Sequence, residues 1–554
     1  MPRKQTTLSR ISNLLRLEKN EISAIYVYAI FNGLIQLSLP IGIQAIIGYV
    51  IGASMRASLA VLIILVVLGV FFTGLMQMNQ MKIIEKIQQK LFVRYSFAFA
   101  NQIPRFDLKK TDNVFLPELI NRFFDVPNLQ KSLSKILLEI PTATIQVFFG
   151  LTLLSFYHPA FILFGIILVL LLWAILKYSG RRGLETSIEE SSYKYKVAGW
   201  LEEAARVIRS VKLARHNDLH LRKTDEQVTR YLNARTSHFR ILLFQYRVMV
   251  FFKTAITAAM LIVGTFLLVN QQLNVGQFIA AEIVILLVIN AVEKLIVSLS
   301  SVYDTLTAIE KLAEVTETPA ETEGTVEMTG NNNGMKVEMR QLFFGYNEDN
   351  PVLKNISLLV NPGEKICITG KNSAGKTTLL KLLTGSYSDF KGAVLLDDVP
   401  VGNYNLSSLR SQTAVIISQQ DIFHGSLWEN ITLDNKSLTI EQVTALANKT
   451  GLSEFVATLK EGYDTILDPT GRRLSRSVTK KILLVRALAA NPRLLLVENL
   501  WEGLEERQRK EISDLLRGMK QTTIIMVSDD EKTLSECDRF FELHRNGEGI
   551  SLKQ

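Results

Sequence analysis

The sequence predicts an α-helical transmembrane domain of six helices followed by an α/β domain built around a glycine-containing loop. Three observations carry that expectation. Long charge-free stretches fill the chain before about residue 300. A polar, turn-rich segment then breaks the pattern, and beyond it short β-rich runs alternate with helical ones. One of those runs, Lys365–Thr369, leads directly into Gly370-Lys371-Asn372-Ser373-Ala374-Gly375-Lys376-Thr377.

The spans come first. Crossing a bilayer takes roughly 20 apolar residues in a helix. Ile22–Met55 has no charged residue and holds one span, with Pro40 expected to kink it. Ala57–Met81 forms the second, after a very short link around Gly52–Arg56. Ile140–Leu176 is uncharged but divided by Tyr157-His158-Pro159, which reads as two helices joined by a tight outer turn. Thr254–Asn270 and Val275–Val292 form the last pair, joined by Asn270-Gln271-Gln272-Leu273-Asn274. Two long polar segments, Lys82–Glu139 and Lys177–Arg247, separate these groups and are rich in Lys and Arg. Their basic character and that of the N-terminus place them in the cytoplasm by the positive-inside rule. Helical periodicity in both runs right up to the spans, so the helices are expected to continue well beyond the bilayer.

Composition agrees. The chain has 554 residues, 48% of them hydrophobic, and a formal charge of +9; its mean hydropathy is +0.19. Beside such long apolar spans, the basic excess points to anionic lipid rather than nucleic acid. The basic N-terminus precedes an uncharged stretch too long for a signal-peptide core, so no cleavage is expected. Cys367 and Cys537, the only two cysteines, suggest neither a disulfide framework nor a metal cluster. Glu282, inside the sixth span, is an intramembrane carboxylate and a candidate for a substrate, proton or local pairing role. The expected domains are residues 1–315 in the membrane region, a linker at 316–334, and an α/β domain at 335–554. Leu358–Val360, Lys365–Thr369, Ala393–Leu396, Arg493–Val497 and Thr522–Val527 read as buried strands of a mostly parallel sheet.

The glycine-rich run fits G-x-x-x-x-G-K-[ST] in its required setting, after a strand and before the helical run Thr378–Leu383. Glycines let backbone N–H groups turn inward around phosphate oxygens, and the helix N-terminus adds partial positive charge. Lys376 can reach the β- and γ-phosphates, and the Thr377 hydroxyl can hold Mg²⁺.

With these residues in place the chain resembles the ATP-binding cassette family in its exporter arrangement, over nearly its whole length. The resemblance implies ATP and Mg²⁺ as ligands and assigns further roles. Tyr346, in Phe344-Gly345-Tyr346, would stack on adenine; Gly370 and Asn372 to Thr378 would cradle phosphates. Gln419, in Ile417-Ser418-Gln419-Gln420, would contact Mg²⁺ and water, although its spacing to Gly425 leaves Ser418 as an alternative. Glu498 stands where the family has an aspartate beside Mg²⁺.

The resemblance also exposes departures. Leu474-Ser475-Arg476-Ser477-Val478 stands where the family has Leu-Ser-Gly-Gly-Gln. There Ser475, Arg476 and Ser477 either cap the γ-phosphate held by an opposite cassette or simply begin a surface helix. Asn499 replaces the glutamate that polarises the attacking water, and Ser528 replaces the switch histidine. An amide cannot accept the proton of water, so the general base is missing. Glu502-Gly503-Leu504-Glu505 departs from Ser-Ala-Leu-Asp as well. Nucleotide binding with slow or absent hydrolysis is the expectation.

Six spans make half of a typical exporter, so the resemblance implies a second half-transporter, the same chain or a different one. Loop ends near Phe106–Phe115 and Ala214–Leu221 would pass cassette motion to the membrane part. The membrane region somewhat resembles the toxin and peptide secretion branch, which often works with a periplasmic adaptor. The expected location is a bacterial cytoplasmic membrane, with the termini and cassette inside. The competing expectation is an ATP-gated regulator or scaffold that pumps nothing.

Overall fold

The computed structural model describes residues 7–51, 56–112, 114–213, 218–330, 333–347, 350–417, 422–467, 474–544 and 549–552. The chain divides into two compact units. One comprises Met1–Phe106 and Asn113–Thr318; the other comprises Asp107–Asp112 and Pro319–Gln554.

The described residues of the first unit form helices joined by short turns. A short amphipathic α1 (Thr7–Leu17) precedes α2 (Lys19–Gln36), α3 (Ser38–Ile51) and α4 (Arg56–Gln102). The helix α5 (Leu108–Thr111) belongs to the other unit. After it come α6 (Leu116–Ile120), α7 (Asp125–Tyr157), α8 (Ala160–Arg206), α9 (Ile208–Leu213), α10 (Leu219–Val269) and α11 (Val275–Thr316). Among the described residues, six helical stretches are long and apolar enough to cross a membrane. The 47 residues of α4 span about 70 Å at 1.5 Å per residue, against about 30 Å of hydrocarbon. This helix is thus longer than the hydrocarbon is thick.

Helix boundaries follow local chemistry. The first span breaks at Leu37 rather than at Pro40. Proline has no N–H to give the carbonyl of residue i−4, here Gln36, so α2 ends there. His158 and Pro159 separate α7 from α8, and Asn270–Asn274 separates α10 from α11. Asn274 and Gln277 form a reciprocal capping box, Gln277 N donating to Asn274 Oδ1 at 2.8 Å and Asn274 N to Gln277 Oε1 at 3.0 Å.

The helix α11 is the most enclosed, burying Ala281, Val284, Ile285, Val288, Ile289 and Val292. Hydroxyls bridge it to its neighbours: Ser298 donates to Glu139 at 2.6 Å and Thr305 to Ser132 at 2.7 Å. By contrast α4 leaves Val61, Ile64, Leu65, Val67 and Phe71 exposed, an apolar face suited to lipid or to another helix. The buried carboxylate Glu18 accepts from Lys90 at 3.0 Å and Arg94 at 2.8 Å, tying the N-terminal segment to α4. Glu282 is half-buried on α11.

The second unit has two main sheets. Strands β1 (Val337–Asn347), β2 (Asn350–Val360), β4 (Lys391–Leu396) and β5 (Val399–Pro400) form an antiparallel sheet ordered β2-β1-β4-β5. Strands β3 (Lys365–Thr369), β6 (Thr413–Ile416), β9 (Leu494–Glu498), β10 (Thr523–Val527), β11 (Arg539–Leu543) and β12 (Gly549–Leu552) form the other, ordered β12-β11-β3-β10-β9-β6. All are parallel except β12. A minor pair, β7 (Gly425–Ser426) and β8 (Ile466–Leu467), lies apart.

Three of the five expected strands thus lie in the parallel sheet, whereas the segments at Leu358–Val360 and Ala393–Leu396 lie in the antiparallel one. The reason is connectivity. Asn347 pairs with Asn350 across a link far too short for a parallel crossover. The segment expected as a linker also has partners. The helix α11 runs through Thr316. Gly324 and Val326 then bond to Tyr404 and Asn403, and buried Arg493 donates to the Asn333 carbonyl at 2.9 Å.

Both cysteines are buried, which makes thiol labelling a clean test of topology. A membrane-impermeant maleimide should label Gln272→Cys in intact cells and Arg16→Cys only after permeabilisation. The reverse pattern would invert the orientation.

Candidate functional site

The parallel sheet positions the site. In register, Val527 of β10 lies beside Ile368 of β3 and Glu498 of β9. The residues that follow these strands therefore emerge together at their C-terminal ends, where open α/β sheets bind ligands.

The loop after β3 has the shape that its glycines permit. Gly370 has φ +141°, and a Cβ there would lie 2.1 Å from the Leu543 carbonyl oxygen. Gly375, at φ +98°, occupies the N-cap of α12 (Lys376–Leu383), and a Cβ there would lie 2.7 Å from the Leu353 side chain. Both positions need glycine for conformation and for space. The turn between them is closed by Ala374 N donating to Lys371 O at 3.2 Å.

A cavity of about 380 Å³ opens over this loop. It is lined by Asn372 to Thr378, by Tyr346 and Val352 of the antiparallel sheet, and by Glu498, Asn499, Val527 and Asp529. Tyr346 is half-buried, and its hydroxyl lies 3.0 Å from Thr378 Oγ1. Its ring meets Phe344 and Tyr387 edge-on, with centroids 5.2 and 5.6 Å away. Burial, followed by the neighbouring Tyr346, pushes the Tyr387 hydroxyl well above the usual tyrosine range. Phe344 also carries Lys109 of α5, whose Nζ lies 5.5 Å from the ring centroid and 2.7 Å from Asp389 Oδ2. The Lys109 hydrogen bond holds the Asp389 carboxyl below the usual range.

The Thr377 hydroxyl donates to Glu498 Oε1. Glu498 is buried, so a hydroxyl and a carboxylate stand side by side at the cavity floor. An all-oxygen pair of this kind suits Mg²⁺, a hard cation that usually takes one or two carboxylates plus substrate phosphates. Asn499 follows in the left-handed region at φ +50°, which asparagine tolerates, and is exposed to the cavity.

Ser528 and Asp529, which follow β10, have different surroundings. Ser528 is buried; its N donates to Ile368 O at 3.2 Å and its hydroxyl accepts from Asp530 N at 3.2 Å. Its side chain is thus spent on the local turn. Asp529, unremarked in the sequence, lines the cavity instead. It accepts from Thr369 Oγ1 at 2.9 Å, Gly370 N at 2.9 Å and Lys376 Nζ at 2.8 Å. Partial burial alone would raise its carboxyl, but the bonds from Lys376, Gly370 and Thr369 hold it below the usual range. Lys376 also donates to the Gly370 carbonyl. The available signal was an acidic pair one residue past a buried strand, at the C-terminal end of the sheet where ligands sit.

The signature segment stands apart from this cavity. Ser475 caps the helix Arg476–Ala489 by accepting from Val478 N at 3.2 Å. Arg476 pairs with Glu502, both largely exposed, so the pair adds little stability. Ser477 is half-buried in the first turn. Gln419 and its alternative Ser418 lie outside the described residues, as do residues 214–217 of the second expected transmission loop. Among the described residues no cluster of three or more His, Cys, Asp or Glu could hold a metal ion.

Comparison with known proteins agrees with this architecture. The ABC transporter family matches residues 353–499, and the ABC transporter transmembrane region matches residues 22–292. The chain therefore belongs to the ATP-binding cassette transporters. It has their exporter arrangement, a six-span membrane region fused to a nucleotide-binding domain. The alpha-hemolysin translocation ATP-binding protein HlyB of Escherichia coli O157:H7 is 29% identical over 278 residues, 50% of this chain and 39% of that protein. The ATP-dependent lipid A-core flippase of Syntrophus aciditrophicus (strain SB) is 30% identical over 209 residues, 38% of this chain and 35% of that protein. The matched stretch thus spans well under half the length of these relatives. The structure of a bacterial Atm1-family ABC exporter with ATP bound superposes with a TM-score of 0.84 at 17% identity, covering 97% of this chain and 96% of that one, which shows a shared fold.

Gly370→Ala tests the loop. Its strained φ and the Leu543 carbonyl should together destabilise the nucleotide-binding unit by more than about 1 kcal/mol, read as a lower melting temperature of the purified chain. An unchanged melting temperature would contradict the loop geometry.

Proposed function

We propose that this chain is the ATP-binding half of a membrane exporter, whose cassette binds nucleotide at the Gly370–Thr378 loop and turns it over slowly or not at all. The observation that carries the reading is the convergence of Tyr346, the loop amides, Lys376 and the Thr377–Glu498 pair on one cavity, in a chain with six candidate spans.

The division of labour follows from the side chains. Tyr346 would hold adenine by stacking, and the amides of Asn372 to Thr378 with Lys376 would hold the phosphates. Thr377 and Glu498 would hold Mg²⁺, with Gln419 a further contact. Bound Mg²⁺ would neutralise phosphate charge. Asn499 can orient a water but cannot take its proton, and Ser528 offers no imidazole. Ser475, Arg476 and Ser477 would face the nucleotide of an opposite cassette, with Arg476 supplying charge where the family has glycine.

A second half-transporter in the bilayer, identical or different, would complete the assembly. Closing of the paired cassettes would pass to the membrane helices partly through α5, since Lys109 bonds Asp389 and covers Phe344 beside Tyr346. The names of the relatives suggest a peptide, protein or lipid-like cargo, and the toxin-secretion likeness a periplasmic adaptor. The bacterial cytoplasmic membrane, with the cassette inside, is the setting. Asn499 and Ser528 favour a second reading, a nucleotide-gated regulator that pumps nothing.

Nucleotide binding and turnover by the purified chain in lipid nanodiscs test the first reading. ATP binding should be lost in Lys376→Ala. Turnover should be low, and Asn499→Glu with Ser528→His should raise it by about 10²–10⁴ if those two positions are limiting. Vigorous wild-type turnover abolished by Lys376→Ala would overturn the proposal of slow hydrolysis. Transport into vesicles separates exporter from regulator.

Tyr346→Ala should weaken ATP binding by about 5- to 150-fold, the range expected for loss of one stacked base, and Tyr346→Phe should retain most of it. Equal losses in both variants would assign Tyr346 to the Thr378 hydrogen bond instead.

A further inference from the structure

We infer that Asp529 is a specificity-determining residue of the nucleotide site: its carboxylate competes with the terminal phosphate for Lys376 and so penalises ATP more than ADP. This rests on the reading of the Gly370–Thr378 loop as the nucleotide site.

The geometry is that of an internal anion on the loop. Asp529 Oδ1 accepts from Thr369 Oγ1 and Gly370 N, each at 2.9 Å, while Oδ2 lies 2.8 Å from Lys376 Nζ. Lysine in a loop of this type serves the β- and γ-phosphates, so Asp529 takes the group that a terminal phosphate needs. The charge balance sharpens the conflict. Among the described residues lining the cavity, Lys376 is the sole cation, opposed by the two carboxylates Glu498 and Asp529. Glu498 has a compensating use as an oxygen donor to Mg²⁺ beside Thr377. Asp529 faces the lysine rather than that pair, so its charge loses its partner when a phosphate takes Lys376.

The carboxylate is placed to yield as well as to compete. Its side chain is 54% exposed, against 12% for Lys376, so water can replace its hydrogen bonds when it turns out. The backbone beside it is anchored. Asp530 bonds Arg509, and accepts from Thr533 N at 3.0 Å and Thr533 Oγ1 at 2.9 Å. Displacing Asp529 therefore needs a side-chain rotation and no loop rearrangement. An incoming nucleotide must break the Lys376 contact and then sit beside the freed carboxylate. The repulsion grows with ligand charge. ATP carries one phosphate more than ADP and reaches further towards Lys376, so it meets the larger penalty.

The test is calorimetric titration of the full chain in nanodiscs with MgATP and with MgADP, for wild type, Asp529→Asn and Lys376→Ala. Asparagine keeps the size and one acceptor oxygen while removing the charge. Asp529→Ser is measured alongside it, so that a distorted turn in one variant does not decide the result. The expected outcome is an Asp529→Asn affinity for MgATP about tenfold tighter or more, a smaller gain for MgADP, and the same ordering in Asp529→Ser. Equal gains for both nucleotides, or none, in variants whose binding still depends on Lys376 would overturn the inference and leave the site reading standing. Binding that is absent in every variant, or indifferent to Lys376→Ala, would overturn the site reading and this inference with it.

Discussion

The nucleotide-binding unit depends on how the chain leaves β3. Gly370 turns at a φ that side chains rarely adopt, against the carbonyl of Leu543 on the neighbouring strand β11. That turn sets the following amides around an open cavity and delivers Lys376 to the first turn of α12. The other contributors reach the cavity because parallel pairing holds β3, β10 and β9 in register, so that their C-terminal ends finish side by side. A backbone constraint of this sort is indifferent to catalysis. It holds whatever side chains stand at Asn499 and Ser528 beside it.

The helical unit obeys a different rule. Its apolar residues are divided between a buried seam along α11 and broad exposed faces such as that of α4. Hydroxyls fix the α11 seam, Ser298 on Glu139 and Thr305 on Ser132, and paired charges fix the N-terminal segment to α4, Glu18 between Lys90 and Arg94. In apolar surroundings an unpaired polar group is costly, so such pairs act as markers of correct register as much as sources of stability.

The parts of this structure that are written locally were legible in the sequence. The phosphate loop, the break near Pro40, the His158–Pro159 turn and the Asn270–Asn274 turn each follow from a few adjacent residues. What escaped depends on contacts between distant segments. The hairpin of β1 and β2 makes an antiparallel sheet out of a segment that looked like one more buried parallel strand. Asp529 reaches the loop only because β10 lies beside β3 in a particular register, and Ser528, one residue earlier, turns away. The segment Asp107–Asp112 reads as a polar loop among membrane helices, and nothing in it announces Lys109 as a partner for Asp389 and Phe344.

That last segment changes what counts as a separable piece. Because Asp107–Asp112 groups with the residues from Pro319 onward, the polypeptide passes between the two units three times: after Phe106, after Asp112 and after Thr318. A fragment cut at the last crossing alone would carry the nucleotide cavity but leave Asp389 without its lysine and Phe344 uncovered, next to the aromatic cluster that includes Tyr346. The compact unit that holds the cavity is thus discontinuous in sequence. Measurements on a fragment beginning near Pro319 would describe an excised surface as well as a binding site.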